Sequence, residues 1–449
     1  MTAAQFLVVL NTSVVNVALP AVGGDLGLSQ TGMTWIVNAY LIAFGALLPV
    51  GGRLADLFGS RTAFVAGMVL FVGGSLAASV AAGAGLLIAA RAVQGAGAAA
   101  LSPAALAILL SRFMPGPDRD RALGVWGAAS AAGGAAGVLL GGVLTNALGW
   151  WSIFAVSVAA GVPVLLSVPV LIPRETGGHG GRLDVPGALA VTAGLTLLVY
   201  GLGARDGSWV GKVLVPAAGI LLLLSLVPLE RRATHPLIPP ALLGNRSVMA
   251  GNLLMLLLGT VWVGTFFFLP LYQQKVLDYS PLTAGLTQLP LAGALMAASA
   301  VAGRLRSTLL PGLVVLAAGL LWLARLPLDG TFLNDLLGPS VLIGLGLGLA
   351  FVPLTALGVS GVDPRHAGVA GGLINTTRQV GGALGLALLT LLASTAAASN
   401  EVGPAALAQG YRRALIGAAA ISLLAAIGAG AHLLRTSGRM SRPAVSTTR

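Results

Sequence analysis

The chain has 449 residues, of which 56% are hydrophobic and 8% are charged. A soluble domain could not bury so much apolar surface, so this composition predicts a helical protein that crosses a membrane many times. The net charge of +12 does not indicate nucleic-acid binding, because the basic residues are spread one or two to a loop, and the absence of cysteine excludes disulfides and thiolate metal sites. The four histidines lack metal-ligand spacing, and we expect neither a metal nor another cofactor.

Apolar runs separated by charged or Pro/Gly-rich breaks predict about fourteen spans, since about 20 apolar residues cross the hydrocarbon core as a helix. The predicted spans are centred near residues 13, 41, 71, 98, 135, 161, 193, 220, 260, 292, 318, 348, 385 and 423. The run near 318 is short, and those near 193 and 220 are less regular. A count of twelve or thirteen spans therefore stays open.

Basic residues predict the orientation of these spans. With the amino terminus in the cytosol, most arginines, among them Arg61 and Arg112, fall on the cytosolic side, whereas few basic residues, such as Lys275 and Arg325, lie outside. This bias predicts that both termini are cytosolic. Arginine greatly outnumbers lysine, and alanine and glycine abound, which favours a bacterial source. We therefore expect a multi-pass protein of the bacterial inner (plasma) membrane.

The sequence contains an internal repeat. The segment that begins at Leu19 resembles the one that begins at Leu269, and four glycines of the fifth span recur 248 residues later. Two parallel halves with a substrate site between them near the bilayer midplane are a common transporter plan. We expect an all-α membrane protein of two pseudo-symmetric six-helix bundles, residues 1–172 and 247–449, the second ending in a short basic tail. Residues 173–246 would supply two inserted transmembrane helices and a cytosolic linker.

The charged segment GGRLADLFGSR, residues 51–61, lies between the second and third predicted spans. We interpret it as a tight cytosolic turn in which Arg53, Asp56 and Arg61 pair or cap the helix ends; an ordinary hairpin is the alternative. A reduced copy follows at Gly303. The segment resembles the loop signature of the major facilitator superfamily, which implies that fold and a loop that gates the cytosolic side. The residues in register are Gly52, Leu54, Asp56, Gly59 and Arg61, whereas Leu57 replaces a basic residue.

The first two spans carry polar residues in otherwise apolar runs. Asn11 and Asn16 lie in LNTSVVNVALP, where amides in hydrocarbon need partners. This segment resembles the first-helix signature of the fourteen-helix drug:H⁺ antiporter branch of that superfamily, but Asn11 stands at the branch's acidic position and cannot carry a proton. On the second span, Trp35, Asn38 and Tyr40 are similar to another signature of the branch and suit a cavity wall. Interface anchoring is the alternative for Trp35.

Arg91 is the one basic residue that we expect within a span. Such a residue costs several kcal/mol unless it meets water, a counter-charge or backbone oxygens, so it is a functional candidate. Gln94, three residues on, shares its helix face. The segment resembles the superfamily's R-x-x-Q-G signature, and the resemblance implies a role for Arg91 in proton transfer. In the alternative interpretation, Arg91 snorkels to the outer interface.

The fifth span, GAASAAGGAAGVLLGG, consists almost entirely of small residues, which permit close helix packing. Val138 replaces the proline of the antiporter signature that this span otherwise resembles, which leaves the expected kink open. The matching positions are Gly133, Gly137, Gly141 and Gly142. In the repeat partner, Arg378 is either a second cationic group that reaches the cavity from the cytosolic side or an ordinary residue of a cytosolic helix end.

The predicted function depends on the family resemblance, on the lack of a complete phosphate-binding loop and on the replacement of the first-helix acid by Asn11. GSWVGK at residues 207–212 lacks the rest of a phosphate-binding loop, so we expect neither an enzyme nor an ATP-driven motor. The resemblance implies a secondary active transporter that exports drugs, antibiotics or secondary metabolites by alternating access, coupled to proton influx. Because Asn11 replaces the acid, a narrow-specificity metabolite exporter and a facilitator without proton coupling stay open. A membrane sensor or membrane-embedded enzyme is the rival class.

The expected substrate sits in a cavity between the halves. Arg91 without an intramembrane acid would leave this cavity positively charged, which favours anionic or neutral amphiphiles, with protons as the coupling ion and neither ATP nor nucleic acid as a partner. The residues expected along the substrate and proton pathway are Asn11, Asn16, Trp35, Asn38, Tyr40, Arg91, Gln94 and Arg378.

Overall fold

A computed structural model describes most of the chain. The described residues are 1–113, 117–172, 185–203, 210–232, 242, 244–303, 305, 307–325, 327–362, 367–394 and 403–440. Two predictions fall wholly or partly outside them. Most of the Pro-rich linker before Arg246 and two residues of the reduced loop copy, 304 and 306, belong to the segments that are not described.

Helices account for all the regular structure in the described residues. The first six are α1 (Thr2–Asp25), α2 (Gln30–Phe58), α3 (Ser60–Ser79), α4 (Ala84–Arg112), α5 (Pro117–Leu148) and α6 (Ser152–Leu171). Two more follow, α7 (Val185–Gly203) and α8 (Val215–Arg232), the latter preceded by a π turn, Val210–Leu214. The rest are α9 (Arg246–Lys275), α10 (Pro281–Thr287), α11 (Leu289–Ala302), α12 (Leu309–Leu323), α13 (Leu337–Gly358), α14 (Ala367–Ser394) and α15 (Pro404–Met440).

The predicted spans coincide with these helices. Ten segments of the described chain are helices long and apolar enough to cross a membrane; α10 and α11 together form one of them, Pro281–Ala302. Shorter apolar helices at residues 189–202, 215–226 and 309–323 correspond to the spans predicted near 193, 220 and 318. The remaining predicted span is α14, which carries a polar run at residues 375–379. The prediction of about fourteen spans is thus confirmed.

Equivalent glycines pack the same helix pair in each half of the chain. On α5, Gly133 lies against the carbonyl oxygen of Phe6 in α1, where a Cβ would clash. On α14, Gly381 lies against the carbonyl oxygen of Leu256 in α9 in the same way. The second pair follows the first by 248 and 250 residues, the offsets of the sequence repeat. The sequence repeat therefore corresponds to a repeat in helix packing.

The two halves meet at the ends of the helices that lie away from the chain termini. The most extensive contacts at this seam join α2 with α14, α5 with α10, and α1 with α9, and smaller ones join α5 with α11 and α1 with α10. Thr34 Oγ1 lies 3.2 Å from Thr390 Oγ1, and Gln274 Nε2 donates to the carbonyl oxygen of Val17 at 2.8 Å. Gly142 on α5 packs against the backbone at Pro281. We call this the far side, and the other side the termini side.

The contact between halves ends near the middle of the helices. A Cβ at Gly45 of α2 would lie 2.9 Å from Gln379 Cβ on α14, so the backbones are still close there. Nearer the termini side, a Cβ at Gly371 or Gly372 of α14, or at Gly127 of α5, would meet nothing within 4 Å. The described contacts between the halves are therefore concentrated on the far side, whereas these three glycines nearer the termini side face open space.

Of the two helices between the halves, α7 lies at this seam. The two pack against each other, with Gly194 of α7 beside Gly219 of α8, and α7 also contacts both α2 and α14. The rings of Trp35 on α2 and Tyr200 on α7 lie 6.3 Å apart. A helix from the segment between the bundles thus contacts a helix of each half.

Candidate functional site

Arg91 is buried in the bundle formed by the first six helices. Its side chain is only 2% exposed, and it is the largest fully buried side chain among the described residues. This position rules out the interpretation in which the side chain snorkels to the membrane surface. A guanidinium group that is held away from water must instead find its partners inside the protein.

Neutral groups from three helices surround the guanidinium. Nη1 donates to Asn11 Oδ1 on α1 and, at 2.9 Å, to Gln94 Oε1 on α4. Nε donates to the carbonyl oxygen of Ile36 on α2 at 3.2 Å. The ring of Tyr40 lies below, with its centroid 4.3 Å from Cζ. The amide at the branch's acidic position is therefore a direct partner of Arg91, and it accepts a hydrogen bond without supplying a negative charge.

A second layer of hydrogen bonds holds these partners in place. Gln94 Nε2 donates to Ser75 Oγ on α3 at 2.7 Å, and Asn11 Nδ2 donates to Ser157 Oγ on α6 at 3.4 Å. Ser75 and Ser157 in turn donate to carbonyl oxygens of their own helices. One arginine thus links α1, α2, α3, α4 and α6. Because a satisfied buried polar network rigidifies its surroundings, this half has a fixed internal frame.

A second arginine, Arg378, lies on the other half near the middle of α14 and is only partly buried. Its Cζ lies 6.0 Å from the ring centroid of Trp262 on α9. Trp262 also contacts Phe351 on α13 at 5.5 Å and Phe266 at 6.2 Å between centroids. The Nε–H of Arg378 has no hydrogen-bond partner among the described residues. Arg378 therefore stands beside an aromatic cluster, within a helix and not in a loop.

Tyr40 lies under Arg91 on the helix of the first half that packs against α14. It is fully buried, and five residues further along α2, Gly45 lies against Gln379, the neighbour of Arg378. The hydroxyl of Tyr40 is 3.5 Å from the carbonyl oxygen of Val8. Arg91 belongs to the first half and Arg378 to the second, so Tyr40 marks the place where the polar interior of one half faces the other.

No carboxylate of the described residues lies in this central region. The acids with described side chains are at helix ends or in turns; Asp25, for example, ends α1 and accepts from Trp150 Nε1 at 2.9 Å. Groups of His, Cys, Asp and Glu that could hold a metal ion are absent from the described part of the chain. The centre therefore carries two cationic groups and, in the described structure, no balancing acid.

Comparison with known proteins identifies the family. The family model described as Major Facilitator Superfamily matches residues 1–386. The cephamycin export protein CmcT of Amycolatopsis lactamdurans is 44% identical over 441 residues, covering 94% of this chain and 89% of that protein. The puromycin resistance protein pur8 of Streptomyces alboniger is 39% identical over 446 residues, covering 95% and 88%. The chain belongs to the Major Facilitator Superfamily.

Solved structures of two other transporters share the fold. An auto-inhibited POT family peptide transporter matches with a TM-score of 0.71 at 15% identity, covering all of this chain and 98% of that one. A bacterial homologue of the human lysosomal transporter Spinster matches with a TM-score of 0.67 at 16% identity, covering 95% and 94%. This chain is thus a transporter-family protein and not an enzyme, and its relatives include antibiotic export and resistance proteins.

The predicted pathway residues of this major facilitator do not form one cluster. Arg91, Gln94, Asn11 and Tyr40 come together as described. Asn16 is buried elsewhere on α1, where its Nδ2 donates to its own helix and its Oδ1 has no partner among the described residues. The remaining three lie apart, with Trp35 and Asn38 at the far-side seam beside α7 and Arg378 in the second half.

The small residues of α5 divide between two roles. Three of them hold α5 to α1 within the first half, whereas Gly142 faces α10 of the second half. The three are Gly133, Gly137 and Gly141, which pack on the backbone carbonyls of Phe6, Leu10 and Val14. The fourth position of the signature therefore belongs to the seam.

The predicted turn between the second and third spans is mostly helix. α2 continues to Phe58, and the chain breaks only at Gly59, whose φ of 85° is in the region that favours glycine. Gly51 lies within α2, and a glycine is needed there because the helix packs so tightly against the backbone of Ala99 that a Cβ would have no room. Gly52 and Arg53 also belong to α2, and Arg61 lies in the first turn of α3. The side chain of Asp56 lies outside the described structure.

Sequence reasoning missed the partners that come from distant helices. Ser75 and Ser157 gave no signal, because single serines in apolar helices are common. Trp262, Phe266 and Phe351 were missed because aromatic residues in a span are usually packing residues. The spacing of Trp262 and Phe266, four residues apart on one helix face, was the available signal.

Proposed function

We propose that this protein exports an antibiotic-like or other secondary metabolite across the bacterial inner (plasma) membrane by alternating access. The observation that carries the proposal is the seam, whose described contacts between the halves are concentrated on the far side, while glycines nearer the termini side face open space. The excess of basic residues on the termini side supports a cytosolic location for both termini. In that orientation the site between the halves faces the cytosol, where an exporter loads its substrate.

The transport cycle follows from how the halves are held. The Arg91 network keeps the first half rigid, and the bundles 1–172 and 247–449 rock against each other around Tyr40 and Arg378. Release to the outside requires the contacts at Thr34–Thr390 and Gln274–Val17 to break. In that outward-facing state, the charged segment at residues 51–61 latches the cytosolic ends, with Asp56 as an acceptor.

The substrate that we propose is a small anionic or neutral amphiphile. Support comes from the two arginines near the centre, from the absence of a carboxylate there among the described residues, and from the aromatic cluster at Trp262. The names of the relatives CmcT and pur8 refer to export of, or resistance to, antibiotics, which supports a metabolite of that kind.

Proton influx is the coupling reaction that we propose, and Asp25 is the candidate carrier. Its carboxylate ends α1 on the far side, where a proton from outside would enter, and it accepts a hydrogen bond from Trp150 Nε1 at 2.9 Å. One observation favours an alternative, a facilitator without proton coupling. Arg91 is paired with the amide of Asn11, so the interior position that usually titrates in this branch cannot do so.

Transport in proteoliposomes with and without an imposed pH gradient tests the proposal. We expect the purified protein to move an amphiphilic dye, and to move it faster when protons flow in the opposite direction. The variant Asn11→Asp is the matched comparison, because it places a carboxylate beside Arg91 without changing the shape of the side chain. A wild type that ignores the gradient while Asn11→Asp responds to it would establish the facilitator. A protein that moves no amphiphile in either form would refute export.

A further inference from the structure

We propose that Arg378, Trp262 and Phe351 form the anion-binding part of the substrate site, and that its ligand is an organic anion with a planar ring. This inference rests on the proposed export function and names its substrate class. It assigns recognition of the negative charge to the arginine of the second half and not to Arg91, the residue that the sequence favours.

The two arginines differ in how many hydrogen-bond donors they have left. Arg91 uses Nε on the carbonyl oxygen of Ile36 and Nη1 on Asn11 and Gln94, and it is 2% exposed. Arg378 is partly exposed, and its Nε–H is buried without a partner among the described residues. A guanidinium group binds a carboxylate best with two parallel N–H donors. Arg378 keeps at least one donor for such a pair, whereas Arg91 would first have to break an internal network.

The aromatic side chains complete the site. Trp262 lies under Arg378, and Phe351 lies 5.5 Å from Trp262 at an interplanar angle of 59°. Rings at this distance are in direct contact, and both side chains are only partly buried, so a planar ligand ring would stack on the outer surface of the pair. Because Arg378 lies over Trp262, a ring stacked there places an attached carboxylate near the guanidinium. The charge and the ring of one ligand are thus recognised by neighbouring groups.

The local electrostatics demand an anion. Arg378 lies over Trp262 from α9, which carries no charge, and no described carboxylate lies in the central region. A guanidinium removed from bulk water is stabilised by a counter-ion, so an incoming anion is favoured over a cation. A cationic ligand would add a third positive charge beside Arg91 and Arg378.

The site is also placed to move with the transport cycle. Gln379, the next residue on α14, packs against Gly45 of α2 on the other half. When the seam between α2 and α14 changes, Arg378 therefore shifts relative to Tyr40. A ligand bound by Arg378 would be exposed to one side of the membrane and then to the other.

Two xanthene dyes with the same ring system and opposite charge test the inference. Fluorescein is anionic, and rhodamine 123 is cationic. Binding to the purified protein in detergent is measured by equilibrium dialysis, and transport is measured separately in proteoliposomes. The variants are Arg378→Gln and Arg378→Lys, and Arg412→Gln is the matched control because it removes an exposed charge at the start of α15.

We expect Arg378→Gln to weaken fluorescein binding by about tenfold to a hundredfold, the usual range for losing a hydrogen-bonded charge, and to leave rhodamine 123 binding unchanged or stronger. Arg378→Lys should be intermediate, because it keeps the charge and loses the paired donors. Trp262→Ala should weaken the binding of both dyes. Arg412→Gln should behave as the wild type.

The inference is overturned if Arg378→Gln and Arg378→Lys bind fluorescein as well as the wild type does, or if the wild type binds rhodamine 123 more tightly than fluorescein. A wild type that binds neither dye also overturns it. If binding depends on Arg378 but no transport occurs in proteoliposomes, the export function is refuted and the anion site is retained. Failure of the site and failure of the function are therefore distinguished by separate measurements.

Discussion

A disulfide between residues 34 and 390 is expected to lock the transporter shut on the far side. Thr34 Oγ1 and Thr390 Oγ1 lie 3.2 Å apart, on helices that belong to different halves. The sulfur atoms of a disulfide are about 2.05 Å apart, so the double variant Thr34→Cys/Thr390→Cys needs a movement of only about 1 Å to form the bond. The chain contains no cysteine, so this is the single disulfide that can form.

The consequence for transport follows from the position of the bond. The hydrogen bond between the threonines contributes about 1 kcal/mol, which thermal motion and substrate binding overcome easily. A covalent bond in the same place prevents the halves from separating, so the site cannot open to the far side. We expect oxidation with copper phenanthroline to reduce transport to the background level and dithiothreitol to restore it.

Two sets of variants separate the lock from the loss of the threonines. Each single cysteine should keep its activity under oxidation, and Thr34→Ala/Thr390→Ala should keep transport while shifting the equilibrium towards the open far side by about fivefold. Bond formation is measured by mass spectrometry of the intact protein. If the bond forms completely and transport continues at the wild-type rate, the α2–α14 seam is not a gate, and the alternating-access reasoning fails.

Two substitutions and one added charge test the remaining contacts. Gly142→Val should push α5 away from α10, because even a Cβ at this position would lie 2.6 Å from the carbonyl oxygen of Pro281. Labelling of a cysteine introduced at position 390 by an impermeant reagent should therefore increase. Gly127→Val is the control, since its side chain meets open space, and it should leave the labelling unchanged. Ser75→Ala should lower the free energy of unfolding by about 1–3 kcal/mol, because it leaves the Gln94 amide buried and unpaired, but dye selectivity should stay the same. Asn11→Asp should raise the melting temperature by placing a counter-charge beside Arg91, and an unchanged value would contradict the direct contact between Arg91 and residue 11.

The sequence was sufficient for the spans and the repeat because both depend on local patterns. Hydrophobic length marks each helix, and small residues at fixed spacing mark where helices touch, as Gly133 and Gly381 do. The glycines did not tell which helix they touch. Gly142 stands next to Gly141 in the chain, yet the two face different halves of the molecule. That difference arises from helix rotation of about 100° per residue together with the packing of the whole bundle.

The candidate site was predictable only within a single helix. Gln94 was expected to lie on the same helix face as Arg91, since the two are three residues apart, and the structure places their side chains in contact. The contact between Arg91 and Asn11 joins α4 to α1 and could not be read from spacing. From the sequence, Arg378 could also be an ordinary residue of a cytosolic helix end, because an arginine near a predicted span end usually reflects only the orientation of the span. Its place within α14 depends on where that helix begins, and polar residues around it obscured the boundary.

The two halves have the same packing but unequal polar chemistry, and this inequality explains how one fold can both hold its shape and bind a ligand. In the first half, every described neighbour of Arg91 spends its hydrogen bonds on other helices, so the group is satisfied before a substrate arrives. In the second half, Arg378 retains an Nε–H without a partner among the described residues, and it lies beside the partly buried ring of Trp262. A site that is already satisfied gains nothing from a ligand, whereas one that lacks a partner gains the full interaction. The first half is therefore suited to be the rigid reference, and the second half to respond to the substrate.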